Sequence, residues 1–262
     1  MQDLADYILG FCSQTPEAHK YAETHLGRFI RSIEITPPGG PDDALLEMGA
    51  YMQMTPALGR LGYGEVRGSY LGPLGRVDDK SVTSTSGETF SCKIDLFNAE
   101  SDRFPYEDGR FSTVVCCELI EHLSEDPMHT VAEVNRILKP GGAFVMSTPN
   151  ICSMRSVLSV LTGYHPALFA QYTIRQGGNS VEPRHAREYA PRDVALLLEA
   201  GGFAVERLET SDQSLVAPQF PPWLSKILVN NSLPTDLRGD TIQAVGRKIG
   251  PVKDRYPEWL YT

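Results

Sequence analysis

Residues 92–150 read CKIDLFNAESDRFPYEDGRFSTVVCCELIEHLSEDPMHTVAEVNRILKPGGAFVMSTPN. An apolar run closes on Asp95. A second, Phe111–Cys117, closes on Glu118. Helical periodicity follows and stops at Lys139-Pro140-Gly141-Gly142, where glycine favours a helix end. A third apolar run, 143–147, leads into Thr148-Pro149-Asn150. Short apolar runs that each deliver a polar residue at their C-terminal end, with a helix between the last two, are how an open α/β sheet builds a small-molecule site.

Upstream, Ala44–Met48 and 64–70 are two further strands separated by a short helix at 55–61, and 90–96 is the strand that closes on Asp95. Residues 71–89 are rich in Gly, Ser, Thr and Asp, with a turn at Ser86-Gly87. They form either an irregular excursion or a hairpin. Residues 3–35 place Leu4, Tyr7, Ile8, Phe11, Tyr21, Ala22, Leu26, Phe29, Ile30 and Ile33 at helical spacing. Thr15-Pro16-Glu17 breaks the pattern and starts it again, so two helices are expected, as an N-terminal cap over 1–40. Downstream come a helix at 153–161, a weakly periodic stretch at 164–187, and a helix that starts at Ala190-Pro191-Arg192-Asp193 and stops at Gly201-Gly202. A strand at 203–209, a short helix from Pro221-Pro222 and a last strand at 241–249 complete the pattern. The main domain is then 41–250, with 151–189 as a lid or acceptor segment hinged near Gly177-Gly178, and 251–262 as a tail. The alternation predicts an α/β, doubly wound, mainly parallel sheet.

The 262 residues suit one such domain with an appendage. A net charge of −9 disfavours a nonspecific nucleic-acid binder, which must neutralise phosphates. No apolar run reaches membrane-span length, and the start of the chain has no basic segment of secretory type. Five scattered cysteines (Cys12, Cys92, Cys116, Cys117 and Cys152) predict reduced thiols and a cytoplasmic setting. No His/Cys set has zinc spacing, so no metal is expected.

The ordered elements FPYEDGRF (104–111), ELIEHL (118–123), Asp126-Pro127, Glu133, RILKPGG (136–142) and STPN (147–150) resemble those of class I S-adenosylmethionine-dependent methyltransferases of the type 11/23-like branch. The resemblance spans roughly residues 44–209. It implies a seven-stranded Rossmann-like sheet with an antiparallel last strand, S-adenosylmethionine as cofactor, and methyl transfer to a small or medium acceptor such as a sugar or natural-product hydroxyl.

The resemblance also implies site residues. The family's (D/E)-x-G-x-G-x-G turn corresponds here to Glu47, Gly49, Ala50 and Tyr51, with Tyr51 and Gln53 where later glycines stand. Asp95 would accept from the adenine amino group, with the backbone at Leu96 beside it. The second strand ends in Gly68-Ser69-Tyr70 with no acid, which leaves Ser69 or Tyr70 for the ribose. Cys117 and Glu118 would face the amino-acid end of the cofactor. His122 is either a general base, its ordinary pKa lying near operating pH, or a residue that holds its loop. The RHAREY segment brings His185 as a second catalytic candidate and Arg184, Arg187 and Tyr189 as acceptor contacts. A homodimer through the N-terminal helices is a further expectation. The rival reading is a noncatalytic methyltransferase-like subunit. A nicotinamide dehydrogenase is disfavoured, because neither G-x-G-x-x-G nor an acid ending the second strand is present.

Overall fold

A computed structural model of the chain describes residues 2–13, 15–174, 181–213, 215 and 218–262. The candidate hinge Gly177-Gly178 lies outside them. The chain opens with three helices, α1 (Gln2–Phe11), α2 (Pro16–Thr24) and α3 (Leu26–Ile35). Thr15 caps α2 by accepting from the Ala18 amide at 3.1 Å. One more helix is present than the sequence predicts, because the backbone leaves helical geometry at His25 (φ −105°, ψ 12°). That break lets the stripe Leu26, Phe29, Ile30 and Ile33 turn independently onto the sheet.

The sheet has the order β3-β4-β2-β1-β5-β6-β10-β9. Its strands are β1 (Ala44–Met48), β2 (Glu65–Tyr70), β3 (Val77–Thr83), β4 (Thr89–Leu96), β5 (Phe111–Cys117), β6 (Leu138–Pro149), β9 (Phe203–Ser211) and β10 (Thr241–Lys248). β4, β2, β1, β5 and β6 are mutually parallel, while β10 runs antiparallel to both β6 and β9. Seven of the strands are those the sequence predicts. The eighth is β3, which pairs antiparallel with β4. Residues 71–89 therefore form the hairpin, closed by Gly87 at φ 86° and by the Ser84 amide on the Glu88 carbonyl. A separate two-stranded ribbon, β7 (Tyr172–Ile174) with β8 (Val181–Pro183), lies in the expected lid segment.

Period-two alternation places the core on both faces of the sheet. Leu46, Val114, Phe144 and Met146 pack with Met128, Val131 and Val134 of α5 (Pro127–Ile137) and with Val194, Leu197 and Leu198 of α7 (Pro191–Ala200). Leu45, Val115, Ala143 and Val145 face the other way, onto Ile8, Phe29, Ile30 and Ile33. The N-terminal helices thus pack, with Met54, Ala57 and Leu58, as a layer of the core against this face of the sheet. The Lys139-Pro140-Gly141-Gly142 helix stop is absorbed into β6 as a bulge. Phe111 pairs with Leu138 and Thr113 with Ala143, and Gly141 takes φ 74°. The C-terminal tail is docked: Arg255 and Tyr261 both bond the Asp126 carboxylate at the start of α5.

The strand order reverses between β1 and β5: the chain steps from β1 to β2 and β4 on one side, then to β5 and β6 on the other. This is the switch point at which open α/β sheets hold ligands. Gly68 of β2 packs tightly against β4 and the turn after β1: a Cβ on it would sit 2.3 Å from Ile94 Cδ1 and 2.6 Å from Ala50 Cβ. Gly68→Ala is expected to cost about 1–3 kcal/mol by overpacking, read as a lower denaturant midpoint with unchanged slope. A neutral result would show that the Ala50 turn yields freely.

Candidate active site

A cavity of about 690 Å³ opens at the carboxyl ends of β1, β2, β4 and β5, under α2 and α3. Glu47 projects into it from β1. The residue is 4 % exposed, one carboxylate oxygen has no partner, and burial lifts its pKa from 4.5 to about 7. Gly49 follows at φ 67° on the cavity wall, a conformation that L side chains resist. Ala50 is fully buried, and its amide bonds the Ser69 carbonyl at 3.0 Å, tying the turn to β2. Tyr51 does not plug the site. Its ring stands at the rim, 64 % exposed and edge-on to Tyr70 at 4.9 Å, and the Tyr70 hydroxyl donates to the Tyr51 hydroxyl at 2.8 Å. Met52 takes φ 65°, so the turn keeps a left-handed residue without the later glycines. Ser69 and Tyr70 are on the wall.

Asp95 and Leu96, expected as cofactor contacts, are not among the residues that line the cavity. The Asp95 carboxylate is taken by Arg67, bidentate at 2.7 and 2.8 Å, and by the Tyr106 hydroxyl at 2.9 Å. Leu96 packs in a small cluster with Ala50, Met52 and Ile94. Among the described residues, the wall at this end is made instead by Phe97, Asn98, Ala99 and Glu100. The signal available in the sequence was Arg67 on the neighbouring strand: a buried acid with an arginine across the ladder is paired before any ligand arrives.

At the end of β5, Glu118 takes φ 50°, a sparsely populated conformation for a side chain of this type. Its amide bonds the Ser147 carbonyl at 2.8 Å, and its carboxylate accepts from the Ser147 hydroxyl at 2.9 Å. The second oxygen faces Arg28 Nη1 at 3.5 Å. Arg28 comes from α3, is 3 % exposed, lines the cavity, and leaves its Nε without a partner. Sequence reasoning missed it, because an arginine on an amphipathic helix ordinarily reads as solvent-facing. Beside it His25 is pushed down to about 4, first by burial and then by Arg28, and is neutral. Burial raises the Cys117 thiol to about 11 and keeps it inert.

The far end of the cavity joins two distant stretches. The Ala186 and Arg187 amides both donate to the Glu121 carbonyl, at 2.8 and 3.2 Å. His122 and His185 then meet edge to face at 4.9 Å. Arg184 lies over the Phe169 ring at 3.6 Å, and both line the cavity. Glu121 is 1 % exposed and accepts from the Thr148 hydroxyl at 3.0 Å; burial and then Glu118 hold its carboxyl far above the ordinary range. Burial, then His185, lowers the His122 pKa. Two expected acceptor contacts lie elsewhere. Tyr189 is fully buried in the core, bridged to Asn150, and Arg187 stacks over Tyr189 and Trp259. The chain bends at 184 and 186 and Tyr189 then bridges Asn150, so these two side chains lie off the wall that Arg184 and His185 line.

Residues 54–146 match the family model described as a methyltransferase domain. Over this stretch the chain is similar to class I S-adenosylmethionine-dependent methyltransferases. A Mycolicibacterium smegmatis protein named "Probable S-adenosylmethionine-dependent methyltransferase" is 30 % identical over 115 residues, 44 % of this chain and 37 % of its own. A ubiquinone biosynthesis O-methyltransferase of Thiobacillus denitrificans is 31 % identical over 122 residues, 45 % and 47 % of the two chains. The matched region is thus less than half the length of these curated relatives. Among solved structures, a chain in the complex of the Haloferax volcanii Trm112 methyltransferase activator superposes with TM-score 0.58 at 14 % identity, over 93 % of this chain and 98 % of that one. A methyltransferase from Methanosarcina mazei does so with TM-score 0.50 at 14 % identity, over 80 % and 94 %. These likenesses bear on fold alone. No helix of the described residues is long and apolar enough to cross a membrane.

The methyl donor of this family is S-adenosylmethionine, and the cavity fits it. Glu47 offers a buried carboxylate oxygen without a partner to a ligand ammonium group, and Gly49 leaves the neighbouring backbone approachable.

Glu47 makes the site pH-dependent. The folded chain without ligand holds this proton up to about pH 7, whereas the unfolded chain releases it near 4.5. Its contribution to stability therefore falls as pH rises through that window and is level above it. A ligand ammonium favours the ionised form, so binding at pH 6 is expected to release close to one proton, and affinity to climb with pH until about 7 and then flatten. Calorimetry of S-adenosylhomocysteine in buffers of different ionisation heat measures this, and Glu47→Gln should abolish the proton release. Asp95→Ala is expected to cost about 3 kcal/mol of stability by stranding Arg67, with S-adenosylhomocysteine affinity changed less than about twofold. A large loss of affinity in a folded variant would return Asp95 to the ligand site.

Proposed function

We propose that this chain transfers the methyl group of S-adenosylmethionine to a hydroxyl oxygen of a small or medium acceptor. The observation that carries the reading is the partnerless Glu47 carboxylate, buried at one end of a cavity whose other end holds two facing imidazoles. Glu47 takes the ligand ammonium, the Gly49 backbone lies against the methionyl chain, and Tyr51, Ser69 and Tyr70 flank the ribose. Asn98 and Ala99 replace Asp95 and Leu96 as the contacts at the adenine end, since they line the wall there. Bound in this way, the cofactor supplies an activated methyl: its S–CH₃ bond breaks with the electron pair left on sulfur as the new C–O bond forms.

The protein aligns the acceptor and removes its proton. His122 and His185 are the groups at hand for that proton, and burial and the second imidazole keep His122 neutral, with a lone pair to offer. Arg184 and Phe169 flank them and suit a polar acceptor with a flat or ring-shaped body. That two relatives sharing about 30 % identity are named as ubiquinone biosynthesis O-methyltransferases supports an oxygen acceptor. Five free thiols accord with a reducing, cytoplasmic setting.

S-adenosylhomocysteine is expected to raise the melting temperature, the stabilisation reaching about 2.7 kcal/mol at a hundredfold excess over Kd. A folded protein that shows no shift at millimolar ligand would sink this reading and favour a noncatalytic subunit.

A further inference from the structure

We propose that Glu121, His122 and His185 bind one first-row divalent cation at the acceptor end of the cavity. Among the described residues, these three side chains come together with one donor atom each within 4.8 Å of the other two. The His122 ring nitrogen Nε2 is 3.8 Å from Glu121 Oε1. A tetrahedral zinc site, with bonds near 2.0–2.2 Å, sets neighbouring donors about 3.3 Å apart. The His122–Glu121 pair therefore needs to close by about half an ångström, and no pair of donors by more than about 1.5 Å.

A second set of contacts points the same way. His122 Nδ1 is 2.8 Å from the Arg184 carbonyl oxygen, and His185 Nδ1 is 2.9 Å from Glu188 Oε1. Each oxygen is an acceptor, so each imidazole donates Nδ1–H and carries its lone pair on Nε2. An outer carbonyl or carboxylate that fixes the tautomer in this way is what metal-binding histidines require. Glu188 is itself held by the Leu168 and Phe169 amides, so the His185 ring is locked from behind. Two imidazoles and one carboxylate suit zinc, cobalt, iron or manganese better than calcium or magnesium. Three protein ligands leave coordination positions facing the cavity, where an acceptor oxygen would bind and lose its proton to solvent at lower pH. The imidazoles then act as ligands and not as the base. That role rests on the methyl-transfer reading; the binding of the cation does not. Glu121 and His122 are adjacent in the sequence, but His185 lies 63 positions beyond His122 and is brought to them where the Ala186 and Arg187 amides bond the Glu121 carbonyl.

The test is titration of the full chain, stripped with chelator, with cobalt(II) chloride, followed by visible absorption and calorimetry. One ion per chain with d–d absorption is expected. His122→Ala and His185→Ala should each weaken binding at least tenfold while keeping the S-adenosylhomocysteine thermal shift, which shows that they are folded. No stoichiometric binding to the unsubstituted protein at millimolar cobalt, or binding of undiminished affinity in both variants, would overturn the proposal. A thermal shift with S-adenosylhomocysteine but no cobalt binding rejects the metal site alone. Cobalt binding that is lost in the variants, without any S-adenosylhomocysteine shift, supports the metal site and rejects the methyl-transfer reading.

Discussion

Arg28 reaches from α3 to Glu118 at the end of β5, and through it the N-terminal helices become part of the site rather than a covering. A carboxylate taken out of water must find a cation, a set of donors or a proton. Three such carboxylates stand at the ends of β1 and β5, and each is met differently. Glu118 has the Arg28 guanidinium and the Ser147 hydroxyl. Glu121 has a hydroxyl donor in Thr148 and a carboxyl pushed towards its neutral form. Glu47 has the Thr55 hydroxyl beside its carboxyl and keeps an oxygen without a hydrogen-bond partner. This graded neutralisation tells the two ends of the cavity apart: one end waits for a cationic group on a ligand, and the other is built around paired imidazoles.

The scaffold makes that arrangement affordable. Parallel strands buried on both faces deliver their carboxyl ends to one edge, and the reversal between β1 and β5 opens a crevice there without breaking the ladder. The two faces are covered by different parts of the chain, α5 and α7 on one side and the N-terminal helices on the other. The second layer reaches the crevice, and Arg28 and His25 line it from there. The strained backbone at Glu118 fits the same logic, since a left-handed residue at the strand end turns the carboxylate back towards Ser147 and Arg28.

The strands, their polarity and the doubly wound class were legible because burial on both faces leaves near-continuous apolar runs, and each run here ends in a polar residue. Glu47, Gly49, Ser69, Glu118 and His122 were legible for the same reason, since being last in a strand or just beyond it is a local property. The β3–β4 hairpin was half legible: its turn residues were visible, but an edge strand with exposed polar side chains carries no apolar signature. Asp95 was misplaced by position alone. It ends an apolar run as Glu118 does, but Arg67, two residues before its ladder neighbour Ser69, reaches back to pair with it, and the wall is formed by the residues that follow it.

The sequence by itself determined the order and type of the elements, the crevice at which a ligand would lie, and the family that the domain resembles. These are written in periodicity and in short ordered motifs, which depend on residues near one another in the chain. Only the tertiary structure decided which of the strand-end groups are already paired. Arg28 came from a helix read as part of a cap, Tyr189 and Arg187 turned out to face the core and its edge, and His185 was brought to His122 across 63 positions. The reason is that pairing between side chains is set by strand register, helix direction and the path of a long segment, and none of these is fixed until the whole core has packed.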